Sequence, residues 1–495
     1  MNLTLTRRIL IAVGLIAAVV AGWNIANENP LPVAVIGVAL ILWMSGHVLN
    51  IPTDALIAGI VLAGYLVGNR GFAQLQVPRV PMLPGEFALG LGLMLSLWRS
   101  VQGRATLLHR DALDGFVFGW IALGVIRIPV DLRAHGFVAL RDFAFVYYAL
   151  FYFVARSWNS VPAARRWVLG CVMAGLTLAG PVFCLFLAYP DWFVTTLAIG
   201  GIPIVFVKND VAGGFLAGGA LWFVHRYVCS RRVGWLAAAA AALVGVAVGN
   251  NRASIVALGC GIAWLVVLRA WRMVRVVVAL LAVGLCGLLI QGVVSPRPVT
   301  TLPIYRLYES LASIADLQGN RVYRSTDLDD KPDNNQFRLV WWRAVATETW
   351  ADGRWFGLGF GHDLAGEFLR VYYADNNDEF NVRSPHNYLL SIFGRMGLVG
   401  IAGFGAIAVV MARKTWAARD TVDKRDSPLP LWLVSWTILA SACLGVVLEG
   451  PMGAIVFWTL LGLANASPAE RESDAPEVAA LPTADAYASA TDSLP

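Results

Sequence analysis

Apolar residues run along this chain in blocks close to the length a helix needs to cross a bilayer, about 20 residues for a hydrocarbon core of roughly 30 Å. Fourteen blocks are predicted as spans: 9–26, 32–49, 54–69, 83–98, 114–130, 138–155, 167–189, 212–228, 233–249, 253–268, 275–294, 386–411, 430–447 and 450–466. The first follows Arg7 and Arg8 with no small-residue cleavage site after it, so a membrane helix is expected there and not a signal peptide. Polar or Pro- and Gly-rich gaps separate the blocks, and only 295–385 is long enough to hold structure of its own. From 467 the chain is rich in Ala, Pro, Ser, Asp and Glu and cannot bury a core, which predicts a disordered tail. The expected organisation is an N-terminal bundle (1–294), an extramembrane loop (295–385), a C-terminal set of spans (386–466) and the tail (467–495). The fold class is all-α and integral to a membrane.

Composition agrees with the pattern. Of the 495 residues 58% are hydrophobic and 14% charged, against about 25% charged in a soluble domain. The net charge of +6 would suggest a nucleic-acid partner if the basic residues formed a patch, but most sit in short gaps between apolar blocks, where they set orientation. With the N-terminus inside, 20 of the 38 Lys and Arg fall on inner segments, and 10 of the others lie in the single long loop. Both termini are therefore expected in the cytoplasm and 295–385 outside. The six cysteines fall within apolar blocks without CxxC spacing, so neither a disulfide framework nor a zinc site is expected.

Charged groups within spans usually face a protein interior or a water-filled cavity. Arg127 lies late in the fifth block, Arg141 and Asp142 early in the sixth, Arg252 opens the tenth, His386 opens the twelfth beside Asn387, and Glu449 closes the thirteenth. All are predicted at one level, the outer leaflet, which suggests a polar cavity opening outward. In the long loop, 335–350 sets Arg338, Trp342 and Ala346 at i, i+4 and i+8, as an amphipathic helix on the membrane surface would. Behind it Gly357, Gly359 and Gly361 read as a turn, because no βαβ unit surrounds them to make a dinucleotide site. Each charged residue also has a structural alternative. Arg127 and Arg252 are compatible with interfacial snorkelling, Arg141 and Asp142 with pairing to other helices, His386 with a helix cap and Glu449 with a loop. Asp327 and Asp329 form a literal DxD in the loop, read here as a solvated turn and not as a metal site.

Taken together, NNRASIVALG, the Arg338-to-Trp342 segment ending at GLGFG, SPHNYLLSIFGRMGLVG and the closing FWTLLGLA resemble the O-antigen ligase and polymerase superfamily of bacterial envelope enzymes. The likeness is best over about 245–410, and TWADGRWFGLG departs from it where relatives often carry a proline. It implies a GT-C-like membrane fold in the bacterial inner membrane and an active site on the periplasmic side. The implied reaction moves a glycan from undecaprenyl diphosphate to an acceptor sugar hydroxyl, on a growing repeat unit or on lipid A core. Implied partners are that lipid-linked donor, the glycan or lipid A core acceptor, membrane lipids, a chain-length regulator and a flippase, with no cofactor.

The residue types fit such chemistry on their own account. Arginine forks suit a diphosphate without a metal, which points to Arg252 and Arg338, and histidine suits an acceptor proton, which points to His386. Arg127, Arg141, Asp142, Asn387 and Glu449 are expected around the cavity. Fourteen spans favour a polymerase over a ligase, for which about a dozen are common in the family. A multi-span flippase or transporter would account for the span count and buried charges, but not for a long outer loop carrying Arg338.

Overall fold

In the computed structural model, residues 50–75, 83–103, 106–316, 321, 323–324, 331–372 and 383–467 are described. The predicted spans 9–26 and 32–49, the Asp327–Asp329 pair and nearly all of the tail lie outside them. Each of the other twelve apolar blocks falls on a helix: α1 (Thr53–Ala73), α2 (Pro84–Val101), α3 (Ala112–His135), α4 (Val138–Tyr147), α5 (Leu150–Trp158), α6 (Pro162–Ala188), α7 (Asn209–Ser230), α8 (Val233–Val248), α9 (Arg252–Val267), α10 (Trp271–Val294), α14 (Tyr388–Ala417), α15 (Leu429–Ala442) and α16 (Pro451–Ala464). The sixth block is shared between two helices, α4 and α5. Tyr148 and Ala149 between them keep helical angles, and the pair forms one apolar stretch of 21 residues. Between 295 and 385 lie α11 (Pro303–Ala315), α12 (Lys331–Asp352) and α13 (Gly366–Tyr372). The only sheet among the described residues is the two-residue pair β1 (Ala198–Ile199) and β2 (Ile202–Pro203).

Among the described residues six helical stretches are long and apolar enough to cross a membrane, and four shorter apolar helices accompany them. α10 shows what lipid-facing surface looks like here: only Met273 and Val277 are buried, although the helix is apolar from Val276 to Ile290. α7 is the opposite, buried along nearly its whole length against α8, α9 and α15. Lipid chains are as apolar as leucine, so such packing depends on close approach. α7 supplies it with glycines: a Cβ at Gly218 would lie 2.6 Å from Thr437 Oγ1 and 2.8 Å from Val434 Cα on α15.

Two predicted spans are interrupted. The 430–447 block stops at Ala442, and α16 begins only after the irregular segment 443–450, whose Val447 and Leu448 are nonetheless fully buried. α14 breaks at Gly397 (φ 64°, ψ −158°), freeing backbone groups that the chain around 354–358 takes up. Leu358 N donates to Gly394 O (2.7 Å), Leu398 N to Arg354 O (2.9 Å) and Val399 N to Trp355 O (3.1 Å). A Cβ on Gly397 would lie 2.5 Å from Gly357 N. Gly397 thus admits a loop into the helix, whereas Gly403, with a would-be Cβ 3.4 Å from Leu123, permits ordinary helix packing.

The apolar stripe of α12, Trp341 and Val345, is buried against Leu364 and Phe368 in a small separate core with Leu390 of α14 alongside. Trp341 stacks on Phe368 at 5.5 Å between ring centroids. One residue round the helix, Arg338 and Trp342 are left for a different surface.

Candidate functional site

The NNR sequence is a device for starting α9. Asn250 adopts φ 47°, a conformation asparagine tolerates better than most residues. The Asn251 side chain accepts from Ala253 N (2.8 Å) as N-cap, so Arg252 is the first residue of the helix. Its guanidinium donates to Asn335 Oδ1. Asn335 is itself fixed, its Nδ2 donating to Asp316 O (2.7 Å) and Ser313 O (3.3 Å), so α9, α11 and α12 meet there.

Asn335, Arg338 and Trp342 fall at i, i+3 and i+7 on one face of α12. Arg338 Nη1 donates to Leu444 O (3.0 Å) in the 443–450 segment, and Trp342 Nε1 donates to Pro385 O (2.6 Å). That second bond steadies the backbone leading into His386, which has φ 55°. Asn387 follows as N-cap of α14, its Oδ1 accepting from Leu390 N (3.2 Å). His386 is therefore held in a strained conformation between two anchored neighbours, and such outliers collect at functional sites. The Trp341 ring lies 6.0 Å from its imidazole.

Arg252, Arg338 and His386 line one cavity of about 590 Å³, with Asn335 and Trp342. Two further residues of this cavity, Lys208 and Asp210, were not anticipated from the sequence. They pair at 3.1 Å just before and within the first turn of α7. Lys208 is secured twice over: its amide donates to Asn69 Oδ1 (3.0 Å), at the non-helical residue inside α1, and its Nζ to Val446 O (2.8 Å). The available signal was a lysine and an aspartate flanking the start of an apolar block, which reads equally well as loop polarity.

Charge around the cavity acts on the histidine. Burial, then the cations Arg338 and Lys208, lower the His386 pKa from 6.5 to about 4, with Asp210 opposing them. The imidazole is thus neutral at physiological pH and has a free lone pair. Among the described residues no three His, Cys, Asp or Glu side chains converge as metal ligands.

The remaining residues singled out in the sequence do not join this cavity. Arg141, Asp142 and Glu449 line a second one of about 250 Å³ with Arg383, Ser384 and Arg395. Here Arg395 and Asp142, both almost fully buried, pair at 2.6 Å. Asp142 also accepts from Gly361 N (3.0 Å), and Glu449 accepts from Ser384 and Ser391, each at 2.7 Å. Arg395 is a charge inside an apolar block, a signal that was present in the sequence. The 443–450 segment divides the two cavities, offering Leu444 to the first and Val446 and Glu449 to the second. Gly445 is required in it, because a Cβ there would collide with the Asp210 carboxylate.

Arg127 and Asn387 line neither cavity. Arg127 pairs with Asp131 (2.9 Å) and donates to the carbonyls of Phe356 and Gly357, while Asp131 accepts from Phe360 N (2.8 Å). The pair clasps the glycine turn, in which Gly357, Gly359 and Gly361 all have positive φ. A turn is what the sequence led us to expect at these glycines. Asn387 is a cap.

Residues 236–405 match the model of a family described as O-antigen ligase, a stretch running from α8 through the segment between α10 and α14 and past the break at Gly397. Over this stretch the chain is similar to that family. This supports the resemblance to the O-antigen ligase and polymerase superfamily, whose members are glycosyltransferase-like membrane enzymes. Arg252, Arg338 and His386 all lie within the matched stretch. Lys208, Asp210 and the 443–450 partition lie outside it and complete the cavity from flanking sequence. No curated protein matches the chain.

Proposed function

We propose that this protein is a membrane glycosyltransferase that moves a glycan from undecaprenyl diphosphate to an acceptor sugar hydroxyl at the periplasmic face of the bacterial inner membrane. The observation that carries this reading is the convergence of Arg252, Arg338 and His386 on one cavity. A donor diphosphate is a dianionic, bidentate ligand, and two guanidinium forks with Lys208 beside them match it in charge and shape. They also stabilise the charge that grows on the leaving diphosphate as its bond to the anomeric carbon breaks.

His386 takes the proton from the acceptor oxygen as that oxygen bonds to the anomeric carbon. The protein's own surroundings make it a weak base, because burial and two cations hold its pKa down. A bound diphosphate offsets those cations and adds negative charge of its own, which raises the pKa toward the range useful for proton transfer. The donor would thereby activate its own base. The fourteen apolar blocks favour chain polymerisation of an O-antigen or exopolysaccharide. The family description favours the second reading, ligation of finished polymer to lipid A core.

Deleting the gene and resolving lipopolysaccharide and secreted polysaccharide on gels tests both. Single repeats on lipid A core, or loss of secreted polymer alone, identify a polymerase. Finished polymer held on undecaprenyl diphosphate identifies a ligase. Unchanged profiles for both glycans would refute the assignment, and failure of a His386→Ala gene to restore the wild-type pattern would tie it to this cavity.

A further inference from the structure

α7, whose first turn lines the first cavity, runs on to a third, of about 1160 Å³, near its other end. Along α7 the distance from Asp210 to Arg226 is about 24 Å at 1.5 Å per residue. This cavity exceeds the usual range for small-molecule sites, about 300–1,000 Å³, and its lining is of two kinds. Arg165 and Arg166 come from α6, Arg226 from α7 and Arg425 from the loop before α15. Between them run apolar walls that include Leu169, Met173, Leu178, Trp222 and Trp235.

Among the described residues no carboxylate pairs with Arg166, Arg226 or Arg425. Arg165 Nε is committed to Asn159 Oδ1 (3.1 Å). Arg226 Nη1 makes a long contact to the Arg425 carbonyl (3.4 Å), and its Nε is buried without a hydrogen-bond partner among the described residues. The lining carries a single carboxylate, Asp426, while Asp423 nearby is paired with Arg272 (3.4 Å). Guanidinium groups lining one largely apolar cavity repel one another, and an anion among them would relieve that repulsion. The apolar walls behind them add a second requirement, that the anion carry a hydrocarbon portion. Tryptophans beside arginines are also the usual furniture of a membrane interface. The distribution of Lys and Arg along the sequence assigns this end to the cytoplasmic leaflet, whose surface is anionic.

We propose that this cavity binds an anionic membrane phospholipid, its phosphate held by Arg226 and Arg425 with Arg166 at the rim, and an acyl chain lying against Trp222, Trp235 and Leu178. The site is separate from the proposed reaction centre and stands whether or not that reading is right.

The test uses the full chain in a neutral detergent, with native mass spectrometry reporting binding of dioleoylphosphatidylglycerol and dioleoylphosphatidylcholine, and inorganic phosphate as competitor. The expected result is preferential binding of phosphatidylglycerol, weakened about fivefold in Arg425→Gln and about 25-fold in the Arg226→Gln/Arg425→Gln double variant, with phosphatidylcholine unaffected. Arg425 is exposed and outside any helix, so its variant keeps the test decisive if the double variant does not fold. Equal binding of the two lipids would overturn the proposal in favour of an apolar groove. Phosphatidylglycerol binding unchanged in Arg425→Gln would overturn the arginine assignment, and displacement by millimolar phosphate would overturn the lipid in favour of a free anion.

Discussion

Replacing Arg338 separates its two proposed duties. One of its five N–H donors is spent on Leu444 O, and the rest are available to the cavity it lines. A charge-assisted hydrogen bond contributes about 1.5–3 kcal/mol, so losing a bidentate grip on phosphate costs about 3 kcal/mol, or roughly a hundredfold in donor affinity. Arg338→Gln and Arg338→Lys should both show most of that loss, because an ammonium cannot reproduce the fork. They should differ in pH dependence. The free-enzyme pKa of a general base appears in kcat/KM, with activity falling as pH drops through it. For wild type that limb lies near 4, where His386 becomes protonated. Arg338→Gln removes the larger of the two cations depressing it, so its limb moves upward toward 6.5 without reaching it, since burial, the larger cause, remains. Arg338→Lys keeps the charge and should keep the limb. The assay is reconstituted glycan transfer across pH 3.5–8, with donor ionisations common to all three proteins. Coincident limbs in wild type and Arg338→Gln, or a wild-type limb near 6.5, would refute the electrostatic account of His386.

Other consequences are more local. His386→Ala should abolish transfer while leaving thermal stability in detergent within about 1 kcal/mol of wild type, because its side chain packs at the edge of a cavity. Asp142→Asn should strand the buried Arg395, costing about 3–5 kcal/mol, seen as a large drop in melting temperature. An Asp142→Asn melt matching wild type would show that the pair is not a structural tie. Gly397→Ala should fail to close the 354–358 backbone onto α14, since φ 64° and the approach of Gly357 both exclude a Cβ. Limited proteolysis near Trp355 reads this out, and wild-type resistance would count against it. Trp342→Phe removes the donor to Pro385 O, leaving that carbonyl unpaired at a cost of about 1–3 kcal/mol; it should lower kcat more than it raises donor KM, by loosening His386.

The helices were legible because hydrophobic length is a coarse signal that survives without knowledge of neighbours. The interruptions were not, because 443–450 and the sequence around Gly397 remain as apolar as the helices they break. Arg252, Arg338 and His386 stood out as polar residues at the ends of apolar blocks or in a patterned loop, and they do share a cavity. Lys208, Asp210 and Asn335 did not stand out, since their proximity depends on how α7, α11 and α12 are brought together, which no local pattern encodes. Arg127 carried the same sequence signature as Arg252 yet clasps a turn, a difference set by the aspartate one helical turn further on.

The junction between α14 and residues 354–358 is made by main-chain atoms, with glycines at the points of closest approach. Trp355 and Phe356, within it, are 60% and 65% exposed. A latch written in peptide groups does not read side chains, so mutation can exchange these aromatics freely while the latch stays shut. Two exposed aromatic surfaces thus sit on a junction whose closure does not depend on them.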